Sequence, residues 1–423
     1  MPISTEDAFH FKKGRLHCEG VDLARAAQRF GTPLYVYSAT LLGQRLKAFS
    51  AAFASVPHTI CYSVKANSNL SLLRQIARAG AGFDVVSGGE LQRVEKAARK
   101  AMTRVVFSGV GKTAEEIELA LRKRILLFNI ESEQELENVA RAAAKRRTRA
   151  NIAFRVNPDV NANTHPYIST GLHEHKFGVP IAEAIELYRR AARLKGLQPV
   201  GVSVHIGSQI NDFSAFAEAM TRVAELVRQL RAEKINITYV DAGGGLGIDY
   251  QTDESLSAFA ARAQAYARAI TTPLNGLGVH LILEPGRSLV ARTGVLLTRV
   301  LYTKRNGSKR FAVVDAAMND LLRPALYQAY HRIQEVTQSK DSSVRYDVVG
   351  PVCESGDFLG RDRELPALQQ GDLLAVRDVG AYGMSLTSNY NSRPRPAELS
   401  IKGTKVTVIR ERETMKDLLR AES

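Results

Sequence analysis

The sequence predicts an α/β protein: a parallel (β/α)8 barrel followed by a second, mostly antiparallel β domain. Three observations carry this expectation. From Leu34 onwards, β-type runs alternate with helical patterns, as a parallel sheet with crossover helices requires. Polar and glycine-rich motifs recur at the ends of those runs, where a barrel gathers its chemistry at one mouth. After Arg292 the long helical patterns stop and strand-like runs follow one another, the pattern of an antiparallel sheet.

The first barrel strand is the apolar run Thr59–Val64, which delivers Lys65 to its end. Further candidates are 82–86, 104–108, 125–130, 151–156, 200–205, 237–241 and 279–284. Helical patterns separate them at 115–124, 133–146, 181–195, 216–233 and 257–270. About eight strand and helix pairs close a barrel, although an open doubly wound sheet would alternate as well. The arbiter is a ring of polar residues at the strand ends: Asp84, Ser108, Asn157, His205, Asp241 and Glu284. The long connection from Asn157 to Val179, with His165, His173 and His175, reads as a loop over the mouth rather than a metal site. The barrel is expected over residues 32–292. Strand-like pieces at 295–301, 311–315, 346–349, 373–377 and 405–410 build the second domain, and polar clusters at 318–327, 353–360 and 381–396 lie in its loops.

Composition narrows the function classes. A net charge of +15 invites a nucleic-acid reading, but the cations spread over helical faces such as Arg141–Arg149 and Arg189–Lys195. Trp is absent and no basic run is interleaved with aromatics, so solvated helix faces are expected and no nucleic-acid partner. No apolar run approaches the roughly 18 residues needed to span a bilayer, and the N-terminal stretch lacks the apolar segment of a secretory signal, so the expected location is cytoplasmic and no membrane is involved. Cys18, Cys61 and Cys353 are too scattered for a disulfide framework or a zinc site, and no metal is expected.

Four motifs carry chemistry. Lys65, half sheltered at a barrel mouth, could add to a carbonyl as a neutral amine, the chemistry of pyridoxal phosphate; a solvated surface lysine is the alternative. Gly243-Gly244-Gly245 after an apolar strand could let backbone amides converge on a phosphate, or form only a tight turn. In Glu284-Pro285-Gly286-Arg287 the carboxylate could keep a pyridine nitrogen protonated and the arginine could clamp an anion, or the segment could be a plain bend. His205, followed by Ile206-Gly207-Ser208-Gln209, could stack on a flat cofactor while Ser208 bonds its phosphate, or be an ordinary hydrogen-bonded histidine.

In this order, Tyr62-Ser63-Val64-Lys65-Ala66-Asn67, His205–Gln209, Gly243–Gly245 and Glu284–Arg287 resemble the fold-type III pyridoxal-phosphate decarboxylases. The likeness runs from Phe9 to Glu398 and extends to the clusters Met318–Tyr327, Cys353–Asp357 and Tyr390–Pro396. It implies an alanine-racemase-like barrel and a discontinuous second domain, residues 1–31 with 293–423, that contributes substrate-site and dimer-interface loops. By the same resemblance Lys65 holds pyridoxal 5'-phosphate covalently, His205 stacks on it, and Glu284 pairs with its pyridine nitrogen. Ser208, Gly244, Gly245, Gly286, Arg287 and Tyr382 would complete the cofactor site. Cys353 would return the proton, reaching across a homodimer whose active sites are shared.

The implied reaction is decarboxylation of meso-2,6-diaminopimelate to L-lysine and carbon dioxide. Its substrate carries an ammonium and a carboxylate at the distal end, so a selective site needs an acid and guanidinium groups. Glu354 offers the first; Arg287 and Arg323, with Tyr327 and Tyr382, offer the second. Paired arginines would repel ornithine, which has no distal carboxylate. A different basic amino-acid decarboxylase, an alanine racemase and a noncatalytic cofactor carrier remain as alternatives.

Overall fold

The computed structural model describes residues 8–160 and 176–422, so His165, His173 and His175 lie outside the described residues. The chain divides into two compact units. One comprises Arg45–Ile248 with Ala258–Ser288; the other comprises Met1–Gln44, Asp249–Ser257 and Leu289–Ser423.

The first unit is a closed parallel barrel. Its eight strands are His58–Ser63, Gly82–Val85, Val105–Phe107, Leu127–Ile130, Ala150–Asn157, Leu197–Ser203, Tyr239–Asp241 and His280–Leu283. Each pairs in parallel with the next, and the last pairs with the first through Leu283 opposite Ile60, which excludes the open sheet. Strand interiors are almost wholly buried, as in Gly82–Val85 and Leu127–Ile130, because helices cover the outside and side chains fill the inside. The expected strands are found to within a few residues at each end. Helix ends follow local chemistry. Ala114–Lys123 starts with a capping box between Thr113 and Glu116, and Ser132 caps Glu133–Lys145 through the amide of Glu135.

One buried ionic knot ties three successive strand ends together. Lys112 Nζ donates to Gly109 O at 2.8 Å, Asn129 O at 2.7 Å and Glu135 Oε1 at 2.6 Å, with its side chain 1% exposed. Glu135 in turn accepts from the amide of Glu131, and Glu131 accepts from the amides of Gly109 and Gly178 and from Arg155.

The second unit is built on the 13-residue strand Gly294–Asn306, which pairs antiparallel with Leu34–Ser38, Lys309–Val314 and Leu373–Val376. Ser343–Val349 and Phe358–Pro366 extend one side of the sheet, Ala397–Lys402 and Lys405–Arg410 the other. Most of its pairings are antiparallel. Leu34–Ser38, within the stretch 32–292 read as barrel, belongs to this sheet instead. It is buried along its whole length, pairing parallel with Ala397–Lys402 on its other side, so it reads like a barrel strand. The N-terminal hairpin supplies Phe9, Leu16 and Cys18, and the helix Leu23–Phe30 supplies Leu23, Ala26 and Ala27, to a core shared with Val295, Leu297, Val336, Ala375 and Leu399. No helix among the described residues is long and apolar enough to cross a membrane.

The Lys112 knot makes a stability prediction. Lys112→Met leaves Glu135 buried without its counter-ion and should lower unfolding free energy by about 3 kcal/mol in guanidinium titrations. Adding Glu135→Gln should recover part of that loss. An unchanged denaturation midpoint for the single variant would show that the knot contributes nothing.

Candidate active site

The barrel mouth is acidic at its floor. Lys65 lies in the single turn Val64–Ala66 directly after the first strand, with Nζ 3.1 Å from Asp84 Oδ2 and its side chain 42% exposed. It is half sheltered, as expected. Asp84, at the end of the second strand, is buried and also accepts from Ser63 Oγ at 2.8 Å; the same hydroxyl lies 3.0 Å from Glu284 O. Asp84 Oδ1 is buried with no hydrogen-bond partner among the described residues.

Glu284 and Asp241 form a hydrogen-bonded carboxyl pair, 7% and 0% exposed respectively. Burial pushes the Glu284 carboxyl well above the usual carboxylate range, and the neighbouring charges of Asp241 and Asp84 push it further. Burial raises Asp241 as well, while the hydrogen bonds from Glu284, Asn129 and the Gly243 amide oppose that rise, so Glu284 holds the shared proton. Asn129 Nδ2 donates to Asp241 Oδ2 at 2.7 Å and to Ser108 Oγ at 3.1 Å; Ser108 Oγ reaches Glu284 Oε1 at 3.4 Å. Of the polar ring expected from the sequence, Asp84, Ser108, Asp241 and Glu284 join in this one network. Asn157 instead donates from Nδ2 to Phe177 O at 2.6 Å.

His205 stands two residues past the strand Leu197–Ser203. Its Nδ1 accepts from the Gly244 amide at 3.2 Å, so that nitrogen carries no proton. Burial, together with the charges of Arg155 and Lys65, holds its basicity well below the ordinary imidazole value. The ring is therefore neutral and flat, suited to stacking on an aromatic system.

The glycine run has the close approach expected of a cradle but fewer spare amides. Gly243 donates to Asp241 Oδ1 at 3.0 Å and Gly244 to His205, so neither N–H is left for a phosphate. This narrows the expectation for Gly244: a Cβ there would lie 2.3 Å from Glu284 O, so its role is to let the two strand ends meet. Gly245 has φ +107°, a conformation that favours glycine, and a Cβ would lie 2.6 Å from Gly207 O. Nearby in the same unit, Arg287 Nη2 donates to Ser208 Oγ at 3.2 Å, and Gly286 packs against Ser63 and Ala66 beside Lys65. An arginine, a serine hydroxyl and close glycine backbone suit a phosphate; a floor of three carboxyl groups suits a protonated ring nitrogen; a lysine adjoins that floor through Asp84. Residues of this barrel thus fit pyridoxal phosphate by their chemistry.

The second unit holds the other expected residues. Arg323 is buried at the start of the helix Arg323–Tyr327, and Tyr327, at its end, is half-buried. Cys353 and Glu354 are exposed; the Cys353 amide donates to Asn391 Oδ1 at 3.2 Å, and Tyr390 Oη donates to Glu354 Oε1. Tyr382 is half-buried with φ +56°, a left-handed conformation unusual for a tyrosine. Asp357 ties two of these loops together. Its carboxylate accepts from the amide of Met318 at 2.7 Å and from that of Val352 at 2.8 Å. The structure thus groups Lys65, His205, Ser208, Gly244, Gly245, Glu284, Gly286 and Arg287 on the barrel, and Arg323, Tyr327, Cys353, Glu354 and Tyr382 on the β unit.

Sequence reasoning missed Asn129 and Arg155. Both interrupt apolar strands, Leu127–Ile130 and Ala150–Asn157, and both are buried. A polar residue inside a barrel strand is the signal that would have found them, since such a position faces a filled interior.

Closed barrel, rim lysine and carboxyl floor suit a pyridoxal-phosphate enzyme, and residues 40–291 match the family described as "Pyridoxal-dependent decarboxylase, pyridoxal binding domain", which makes the class a pyridoxal-dependent decarboxylase. Diaminopimelate decarboxylase of Pseudomonas aeruginosa is 50% identical over 99% of both chains. The crystal structure of diaminopimelate decarboxylase from Helicobacter pylori complexed with L-lysine matches with a TM-score of 0.90, 46% identity, and 95% and 99% coverage of the two chains. That of the enzyme from M. jannaschii in co-complex with L-lysine matches with a TM-score of 0.92 and 39% identity, covering 99% and 98%. This chain belongs to the diaminopimelate decarboxylase family.

The raised Glu284 carboxyl sets a pH dependence. In the cofactor-free protein the folded state keeps a proton that the unfolded state has already released. Stability from this group is therefore present at low pH and lost as pH rises through the raised pKa. Between about pH 5 and about pH 8, cofactor-free wild type should lose melting temperature relative to Glu284→Gln, whose neutral amide does not titrate. Added pyridoxal phosphate should reduce the difference. A gap independent of pH would show that Glu284 does not hold the proton.

Proposed function

We infer that this chain catalyses pyridoxal-phosphate-dependent decarboxylation of meso-2,6-diaminopimelate to L-lysine and carbon dioxide, the closing step of lysine biosynthesis from that diamino acid. The observation that carries the reading is the barrel mouth, where Lys65 adjoins Asp84 and a buried Glu284–Asp241 carboxyl pair lies in the same polar network. Membership in a family of relatives matched over almost their full length supports the choice of substrate.

Pyridoxal phosphate, when bound, supplies an electron sink for the pair released as the carboxylate leaves. Lys65 would hold it through Nζ, and Ser208, Gly245, Gly286 and Arg287 would take its phosphate, with Tyr382 assigned there by resemblance. The proton on Glu284 would be shared with the pyridine nitrogen, and Asp241, held by Asn129 and the Gly243 amide, would stabilise that arrangement. His205, neutral and fixed through Nδ1, would give its flat face to the ring. Asp84 would hold the Lys65 ammonium once the amine is displaced by substrate.

Substrate selection falls to groups that match its distal end. Arg287 and Arg323, with Tyr327 and Tyr382, would bind the distal carboxylate and Glu354 the distal ammonium. Cys353 would protonate the α-carbon from which carbon dioxide has left. We place the enzyme in the cytoplasm as a homodimer in which Cys353 and Glu354 act across the interface. Both are exposed within one protomer, and large apolar side chains are also exposed on other segments of the same unit: Leu326 and Tyr330 just after Arg323, and Tyr390, which bonds Glu354. The three cysteines are free, which suits a reducing compartment.

Carbon dioxide release from meso-diaminopimelate, ornithine and arginine by the cofactor-loaded enzyme tests the substrate. Diaminopimelate should be preferred by at least about a hundredfold in kcat/KM, the scale of lost charge-assisted bonds. Preferential turnover of ornithine would refute the assignment. Cys353→Ala should lower kcat by roughly a hundredfold with little change in KM, as loss of a proton donor requires. Unchanged turnover would remove Cys353 from the chemistry.

A further inference from the structure

A second histidine, in the β unit, is held as tightly as His205. His331 is wholly buried, and both ring nitrogens are engaged. Nε2 lies 2.7 Å from Arg323 Nη1, and Nδ1 lies 2.8 Å from the carbonyl oxygen of Arg377. A guanidinium can only donate, so Nε2 accepts and carries no proton. A carbonyl can only accept, so Nδ1 carries one. His331 is therefore the neutral Nδ1–H tautomer, aimed at Arg323 by the main chain of the strand end at Arg377.

Tyr250 completes the support. The Arg323 guanidinium carbon lies 4.6 Å from the centre of the Tyr250 ring, and that ring meets His331 edge to face at 5.0 Å. One side chain accepts from the guanidinium, a second stacks on it, and the two brace each other. Local sequence makes this possible. Pro324 sits at the start of the short helix Arg323–Tyr327, Gln328 ends it in a left-handed conformation, and Ala329 N donates back to Arg323 O at 3.3 Å. The chain so reversed brings His331 onto the arginine eight residues before it.

A buried arginine needs no imidazole merely to stay buried, since carbonyl groups satisfy it elsewhere here: Arg45 is fully buried with Nε and Nη2 on Ser288 O. A neutral imidazole anchored from behind differs, because it fixes the guanidinium plane without neutralising its charge. A carboxylate partner would compete with an incoming anion; this one does not.

We propose that His331 is a positioning residue for substrate selection: with Tyr250 it orients the Arg323 guanidinium to take the distal carboxylate of an amino acid that carries one at each end. The proposal rests on the reading above that Arg323 binds that carboxylate. His331 touches neither reacting atoms nor cofactor in this role and acts through Arg323 alone.

The test is steady-state kinetics of the cofactor-loaded enzyme with meso-diaminopimelate. His331→Leu should raise KM roughly tenfold or more while kcat changes by less than about threefold. His331→Gln, whose amide can accept from Arg323 and donate to the Arg377 carbonyl, should return KM to within about threefold of wild type. In an Arg323→Ala background, His331→Leu should raise KM no further, because the group it orients is gone. A raised KM in Arg323→Ala with no change in His331→Leu, or additive effects in the double variant, would overturn the proposal and leave the Arg323 reading intact. An unchanged KM in Arg323→Ala would overturn that reading and this proposal together. Should His331→Leu fail to fold, the nitrogen-15 spectrum of the wild-type imidazole decides: an unprotonated Nε2 is expected, and a proton on Nε2 would overturn the assignment.

Discussion

Three carboxyl groups, Asp84, Asp241 and Glu284, share the mouth of one barrel with the rim lysine Lys65, and burial makes that arrangement demanding. Like charges in a dry site cannot all ionise, so one of them holds a proton, and the raised Glu284 is that one. Each is delivered by the end of a different strand: the second, the seventh and the last. Their convergence requires the barrel to close with the register observed, Tyr239 opposite His280 and Leu283 opposite Ile60. A slip of one residue would turn Asp241 away from the mouth. The glycines follow from the same constraint, since the strand ends carrying Glu284 and Gly244 pass too close for any side chain. Fold, acidity and glycine content are thus one requirement: strand ends that meet closely enough to share a proton in a dry site.

The β unit meets a different demand, which is to hold charged groups still on loops. Asp357 joins the segment before Arg323 to the segment carrying Cys353 through two backbone amides. Asp320, which burial pushes up to about 7, accepts from the Ala317 amide at 3.0 Å, and its own carbonyl accepts from Tyr35 Oη. Arg323 is then held by His331 and Tyr250. Loops fastened through carboxylates and rings can present substrate groups with the precision of a helix or strand, which matters when selectivity rests on a carboxylate and an ammonium at the far end of a flexible chain.

Most of the barrel was legible because its strands are short apolar runs that end in a polar residue, and the ends carry the chemistry. Lys65, Asp84, Asp241 and Glu284 could be placed at one mouth from that rule alone. Leu34–Ser38 falls inside the stretch 32–292 expected to form the barrel but lies in the other sheet, since a strand buried along its whole length looks the same in a barrel and in the middle of a mixed sheet. Phe358–Pro366 went unread: it carries Gly360, two arginines, an aspartate and a glutamate, as an edge strand with one wet face can. His331 was passed over because nothing in a linear sequence shows that a chain reverses to place an imidazole on an arginine. The amides of Gly243 and Gly244 were expected to face a phosphate, and only the structure shows them engaged by Asp241 and His205.

A buried carboxyl floor that shares one proton would keep the cofactor's ring nitrogen protonated. Nitrogen-15 resonance of enzyme loaded with pyridoxal phosphate labelled at the pyridine nitrogen tests it most directly. A pyridinium signal should persist above the pH at which the free cofactor's ring nitrogen loses its proton, and should be lost in Glu284→Gln. A neutral pyridine signal in the wild-type enzyme would contradict it.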